Sequence, residues 1–182
     1  MRGSLAGARL GSMPAPSVRT DRDLAAYLDR AGVDATLVRP GVPTPTVPDA
    51  ARALGVEPGA ILKSLVFQAS GAPLLVIAAG RARVRVPLLA RALGLPRRSV
   101  KLASPQETLS LTGYPVGAMP PFGHAQPLDT LVDSVSVPDE GVVYGGGGAE
   151  DVMVRLDART LLGATGGRRL PLTADAAQKE TP

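Results

Sequence analysis

Twelve residues, Gly113-Tyr114-Pro115-Val116-Gly117-Ala118-Met119-Pro120-Pro121-Phe122-Gly123-His124, constrain this chain more than any other stretch. Proline removes a backbone donor and glycine is costly to order in a regular element, so neither a helix nor an inner strand fits here. Tyr114, Val116, Met119 and Phe122 make the stretch too apolar for an ordinary surface loop. Such a segment is held in one shape against the rest of the fold. Its prolines fix φ and lower the entropy cost of ordering it, and its main-chain N–H and C=O groups then form a rigid wall. A turn stiffened for purely structural reasons has the same composition, so the stretch becomes a site only with partners elsewhere.

At 182 residues, 45% of them hydrophobic, the chain fits one domain with a substantial core. Aromatic residues make up only 3%, so the core is built of Leu, Val, Ala and Ile. The stacking platforms used by single-strand readers are nearly absent. There is no cysteine, which removes disulfides, thiolate nucleophiles and cysteine-based metal centres together. His124 is the single histidine, so a histidine-rich metal site is excluded and a Ser-His-Asp triad would depend on it alone. No metal and no cofactor are expected. Twenty Lys and Arg against 16 Asp and Glu give a net charge of +4, a mild excess compatible with a polyanionic partner. No apolar run reaches the roughly 18 residues of a membrane helix. Arg9 interrupts the weakly apolar stretch after Arg2, so no signal peptide is expected, and the expected compartment is the cytoplasm.

Residues 1–19 carry Gly, Ser, Ala, Pro and Arg with no acid and no period, which predicts a disordered leader with Met13 as an alternative start. Thr20 and Asp23 form a capping-box pattern for a helix whose stripe is Leu24, Leu28 and Ala31, ended by Gly32. A strand is predicted over 35–39, a constrained Pro-Gly-Val-Pro-Thr-Pro connection over 40–45, and a helix from Thr46 to Leu54. Strands over 60–69 and 74–79, separated by Ser-Gly-Ala-Pro, predict a hairpin. The alternation of 81–86 predicts a half-exposed strand, and Pro87 opens a helix that Gly94 closes. The similar pieces at 50–56 and 89–95 predict two Gly-ended helices of one type and not a solenoid. A short strand at 99–103, a capped helix from Ser104 to about Leu111, strands over 128–132, 142–144 and 152–156, and a helix capped by Asp157 complete a domain over 20–162. Residues 163–182 are predicted to be a flexible tail.

Several residues could carry chemistry. Lys63 falls on the same strand face as Ile61, Leu65 and Phe67. Lysine is rarely buried without a partner, so either that face opens into a cleft or the stem snorkels to water, and the pattern by itself favours snorkelling. Arg81, Arg83 and Arg85 would share one strand face, with Arg97, Arg98 and Lys101 close in sequence. This could track phosphates, although a solvated outer face is the simpler reading of any one charge run. Gly145 to Gly148, followed by Glu150 and Asp151, fits neither a P-loop nor G-x-G-x-x-G. It is either a flexible hairpin turn or a close backbone approach to a small ligand with Asp151 as charge partner.

The segment Ile61-Leu62-Lys63-Ser64-Leu65, the loop Gly113–His124, and Gly145–Gly148 with Asp151 occur here in an order that resembles the YbaK family of tRNA-editing domains. That family includes the editing insertion of bacterial prolyl-tRNA synthetase and its free-standing relatives. The resemblance spans roughly residues 20–162. It implies an α/β (α+β) domain with a mixed, partly closed sheet surrounded by short helices. It also implies a free-standing hydrolase that deacylates mischarged tRNA, most commonly tRNA for proline carrying alanine or cysteine. By this resemblance Lys63 is the signature lysine acting at the tRNA end, and Gly117, Ala118, Met119, Pro120 and Pro121 form the G-x-x-x-P wall of the amino-acid pocket. Ser64 stands where relatives often have threonine. Gly146 and Gly147 close the pocket, and Asp151 would suit the substrate's α-ammonium. An aminoacyl ester is already activated, so positioning and oxyanion stabilisation can suffice without a protein nucleophile. His124 is either a base or a structural loop histidine. Expected partners are the aminoacylated 3′ end of tRNA, contacted by Arg81, Arg83 and Arg85, and prolyl-tRNA synthetase, with no membrane and no metal. A non-catalytic tRNA-binding or regulatory module is the alternative.

Overall fold

The computed structural model describes residues 18–174, so the predicted leader lies outside the described residues up to position 17, and 175–182 lie outside them as well. The helices are α1 (Asp21–Ala31), α2 (Val47–Leu54), α3 (Val86–Ala92), α4 (Pro105–Thr112) and α5 (Ala158–Thr165). The strands are β1 (Ala35–Val38), β2 (Leu62–Ala69), β3 (Ala72–Ala79), β4 (Val100–Leu102), β5 (Asp129–Asp133), β6 (Val142–Gly146), β7 (Met153–Asp157) and β8 (Arg168–Leu170). Local chemistry places the ends of most helices. Thr20 and Asp23, like Ser104 and Glu107, make reciprocal capping boxes, and Thr46 and Asp157 cap α2 and α5. The repeated sequence is a repeated helix end. Gly55 and Val56 bond back to Arg52 and Ala51, as Gly94 and Leu95 bond back to Arg91 and Ala90.

β2 and β3 form the central hairpin, with Leu62 opposite Ala79 and Ala69 opposite Ala72. β4 pairs antiparallel with β2, while β5 and β8 extend the other side in parallel, giving the order β4-β2-β3-β5-β8. A second, antiparallel sheet runs β1-β7-β6. One isolated parallel bridge, Ile61 to Tyr144, joins the two sheets, which do not close into a barrel. This is the mixed, partly closed arrangement with short helices that the resemblance implies. Alternation along β2 and β3 gives the five-stranded sheet two cores. Leu62, Val66, Leu75 and Ile77 pack with Leu24, Leu28 and Leu161. Phe67, Leu74, Val76 and Leu131 pack with Leu89, Ala90 and Leu172 on the other face.

Two expectations are corrected. Residues 81–86 are not a strand: Val84 makes one bridge, to Thr173, and Arg85 N–H donates to Leu172 O at 2.8 Å before α3 begins. Their alternating exposure reflects extended backbone lying on a core, which needs no ladder. The chain from 163 is also no flexible tail as far as it is described. α5 continues to Thr165, β8 follows, and Leu172 and Thr173 are buried. The cause is Asp133, a fully buried carboxylate at the end of β5. It accepts hydrogen bonds from the N–H groups of Leu172 at 2.8 Å and Thr173 at 3.1 Å, and from the Thr173 hydroxyl at 2.7 Å. Residues 171–173 are too few to carry a period, so this anchor is invisible to pattern reading.

Burial pushes the Asp133 carboxyl up, but hydrogen bonds from Ser136, Thr173 and the Leu172 N–H outweigh it and the pKa is lowered. A carboxyl depressed in the folded state contributes stability that is complete above its unfolded value of about 3.9 and is lost as pH falls through the folded value. Acid unfolding followed by circular dichroism should therefore show stability declining below about pH 4, with a flatter acid limb in Asp133→Asn. In urea, Leu172→Ala should lose about 3 kcal/mol, whereas a tail residue would lose nothing measurable.

Candidate functional site

The loop 113–124 is tied at its neck and buried along most of its length. Ala125 N–H donates to Thr112 O at 2.8 Å, Arg19 N–H donates to Gly113 O at 2.8 Å, and Arg19 Nη1 donates to Gly123 O at 3.3 Å. Tyr114, Ala118, Met119 and Phe122 are buried, with the Phe122 ring stacked on Tyr27 at 5.8 Å. Only Pro115, Val116 and Gly117 form an exposed tip. The glycine turn at the end of β6 runs against this loop, where Gly148 N–H donates to Ala118 O at 2.9 Å. A Cβ on Gly146 would lie 2.6 Å from Met119 O and 2.7 Å from Ala118 O, so backbone meets backbone there and only glycine permits it.

A cavity of about 330 Å³ lies beside this contact. The loop contributes Val116, Gly117 and Met119, β6 contributes Gly146, and β7 contributes Met153. Ile61 to Leu65 form a second wall, and Thr44 to Val47 with Ala50 form a third. Among the described residues that line it, Lys63 is the one with a charged side chain. It is half-buried, and its Nζ donates to Gly80 O at 3.1 Å and to Ala82 O. Burial, and after it the Arg83 guanidinium, lower the lysine's pKa, while Asp133 acts in the opposite direction. The snorkelling reading is thus corrected: Lys63 lines a cleft, and two main-chain carbonyls accept from its ammonium.

Of the other sequence-predicted residues, Ser64, Gly117, Met119 and Gly146 line the cavity. Ala118, Pro120, Pro121 and Gly147 are buried but are not among its lining residues. Asp151 is not brought in. The turn faces the loop with its backbone, which leaves Asp151 outside the lining with a half-exposed side chain whose carboxylate lies 4.0 Å from Arg39 Nη1. His124 is also outside the lining. Its Nε2 sits 2.9 Å from Pro120 O, its ring meets the edge of Tyr114, and burial lowers its pKa, as suits a structural loop histidine. Arg81, Arg83 and Arg85 are exposed, on the same segment whose carbonyls hold Lys63. Sequence reading missed the wall from Thr44 to Ala50. Its signal is the Pro-Gly-Val-Pro-Thr-Pro run, which has the same stiff composition as the 113–124 loop.

Residues 42–163, which include all the lining described above, match the family model described as an aminoacyl-tRNA editing domain. The chain belongs to that family. An uncharacterized protein, YwhH, of Bacillus subtilis (strain 168) is 32% identical over 117 residues, covering 64% of this chain and 72% of that protein. A proline–tRNA ligase of Nitratidesulfovibrio vulgaris (strain DP4) is 31% identical over 144 residues, covering 74% of this chain but only 25% of the ligase. A solved structure provisionally assigned as a trans-editing enzyme for prolyl-tRNA synthetase superposes with a TM-score of 0.75 at 31% identity, covering 85% of this chain and 96% of that one. The editing-domain chain is thus YbaK-like, as its motifs imply. Among the described residues no helix is long and apolar enough to cross a membrane.

The close approach at Gly146 gives a direct test. Gly146→Ala should destabilise the protein by about 1–3 kcal/mol in thermal melts, because two backbone carbonyls occupy the space of the new methyl. Gly163→Ala is the control. It lies in α5 with open space around it and should gain about 0.5–1 kcal/mol from helix propensity.

Proposed function

We propose that this editing-domain chain is a free-standing deacylase that hydrolyses the ester of mischarged aminoacyl-tRNA. The observation that carries the reading is Lys63, a half-buried lysine whose ammonium donates to two carbonyls and which is the one charged residue among the described residues that line a small cavity. An ammonium has three donors, so two bonds to Gly80 and Ala82 leave one for a substrate oxygen. Directed at the terminal phosphate or the ester carbonyl, it stabilises negative charge in a site of low dielectric constant. The lining offers no carboxylate, imidazole or thiol among its side chains, which favours a water positioned by substrate and backbone over a protein nucleophile or base. A hydroxyl of the terminal adenosine is the proposed orienter of that water.

The amino-acid side chain enters the apolar part of the cavity, between Met119, Met153 and Ala50, where rigid walls reject larger residues. This favours a small residue, alanine or cysteine, carried by tRNA for proline. The ligase relative and the trans-editing structural relative support that choice of tRNA, and the latter supports action as a separate protein. The exposed Arg81, Arg83 and Arg85 meet the phosphates of the acceptor end, and prolyl-tRNA synthetase is the proposed upstream partner in the cytoplasm. The absence of a side-chain base in the lining also suits a second reading, a module that binds the charged end without cleaving it.

Deacylation of tRNA for proline charged separately with alanine, cysteine, serine and proline separates the two readings. The deacylase should clear a small misacylated species and spare the prolyl form, and Lys63→Ala should slow this about a hundredfold or more. Binding without cleavage of any species supports the module. Replacing Arg81, Arg83 and Arg85 with glutamine should flatten the salt dependence of tRNA binding by about 0.7–0.9 in log–log slope for each phosphate that is no longer neutralised. An unchanged slope removes these arginines from the interface.

A further inference from the structure

The two carbonyls that hold Lys63 lie on a segment outside both sheets, so their position depends on what grips the segment at its ends. At the start, Ala79 N–H donates to Ser136 Oγ at 3.0 Å and Gly80 N–H donates to Ile61 O at 2.8 Å. Gly80 turns there at φ +59°, with Gly59 Cα and Pro58 O only 3.3 Å from where a Cβ would stand. At the far end Val84 bridges Thr173, and Arg85 N–H donates to Leu172 O at 2.8 Å. Both grips converge on one carboxylate. Asp133 Oδ2 accepts from the Ser136 N–H at 2.9 Å, from the Ser136 hydroxyl, and from the Thr173 hydroxyl at 2.7 Å. Its Oδ1 accepts from the N–H groups of Leu172 at 2.8 Å and Thr173 at 3.1 Å.

We propose that Asp133 is a positioning residue for Lys63, fixing through Ser136 on one side and Leu172-Thr173 on the other the two carbonyls that accept from the ammonium of this cavity-lining lysine. The proposal rests on the reading of Lys63 as the group that meets the substrate. Five donors on one buried carboxylate need an acceptor at both oxygens. Asparagine has the same shape but turns a donor toward at least two of them, so it loosens the grip without emptying the site. The charge also acts directly. The charged groups that bear on Lys63 are Arg83, from the 81–85 segment, and Asp133, from β5, with opposite effects. Taking away the anion leaves the ammonium facing the guanidinium alone.

The test uses the full chain labelled with 13C at lysine Cε. Its three lysines are Lys63, Lys101 and Lys179, and Lys63→Arg identifies the signal of interest. In Asp133→Asn the Lys63 signal should move and titrate at lower pH than in the wild type, while Lys101 stays in place. Ser136→Ala keeps the carboxylate and the Leu172-Thr173 side, and removes the acceptor for Ala79 N–H together with one of the five donors on Asp133. It should move the Lys63 signal as well, and both variants should lose about tenfold or more in kcat of deacylation with KM little changed. Folding of each variant is checked by circular dichroism. If Asp133→Asn does not fold, Ser136→Ala decides by the same readings. Folded variants that leave the Lys63 signal, its titration and kcat at their wild-type values overturn the proposal. If the wild type cleaves no aminoacyl-tRNA, the deacylase reading fails, and the lysine signal then decides the positioning role alone.

Discussion

Two backbones come into contact only where no side chain stands between them, and one such contact shapes the site. Among the described residues, the five-stranded and three-stranded sheets share a single bridge, Ile61 to Tyr144. What fixes the cavity between them is the seating of the glycine turn on the loop. Gly146 lies against the carbonyls of Ala118 and Met119, Gly145 lies against the Pro121 ring, and Gly148 bonds to Ala118. Loop prolines that cannot swing and glycines that cannot be replaced set the width of the cavity by backbone placement. A wall of that kind yields less than one made of flexible side chains, which matters for any function that depends on size.

The lysine in this wall follows from the same frame. An ammonium moved halfway out of water loses hydration, and hydrogen bonds to fixed acceptors must replace it. Here the replacements are main-chain carbonyls on a segment held from outside, and a buried aspartate supplies the opposing charge. The arrangement is already in place before a ligand arrives. In the proposed reaction, charge that develops on the substrate oxygen would meet an oriented cation without the solvent reorganisation that a mobile surface lysine requires. An exposed lysine could make the same contact, but screening and side-chain entropy would leave it little net effect.

Much of this was legible in the chain because capping and alternation are local. Thr20 with Asp23, Ser104 with Glu107, and the glycine-ended helices declare themselves within four or five residues, and the β2–β3 hairpin shows its period directly. The loop at 113–124 could be recognised as constrained, but not what it leans on, since its contact with residues 146–148 spans two strands of chain. The errors have one origin. Arg81 to Val86 alternates without a partner strand, Leu172 and Thr173 are held by a carboxylate about forty residues earlier in sequence, and Asp151 is carried away from the cavity by a turn whose backbone faces inward. Each depends on a long-range contact that no local period encodes. Lys63 is conspicuous in the sequence as a charge on an apolar face, yet its placement depends on two carbonyls nearly twenty residues on.

The composition of the lining bears on how discrimination could work. Among the described lining residues there is no carboxylate to pair with an α-ammonium, and hydroxyls stand only on Thr44, Thr46 and Ser64, so these residues read little of a ligand's polarity. Thr44 is already engaged, its hydroxyl donating to Glu150 O at 3.2 Å. What remains is shape. Attraction alone discriminates poorly between side chains that differ by a methylene, at about 1–3 kcal/mol. Rejection by walls that cannot move is not limited in that way, because an oversized group must deform backbone contacts already at their closest approach. In the proposed reaction this asymmetry has the useful sign. A pocket that excludes on size admits the smaller, wrongly attached residue and refuses the larger, correct one, so the rigidity imposed by glycine and proline becomes the source of selectivity.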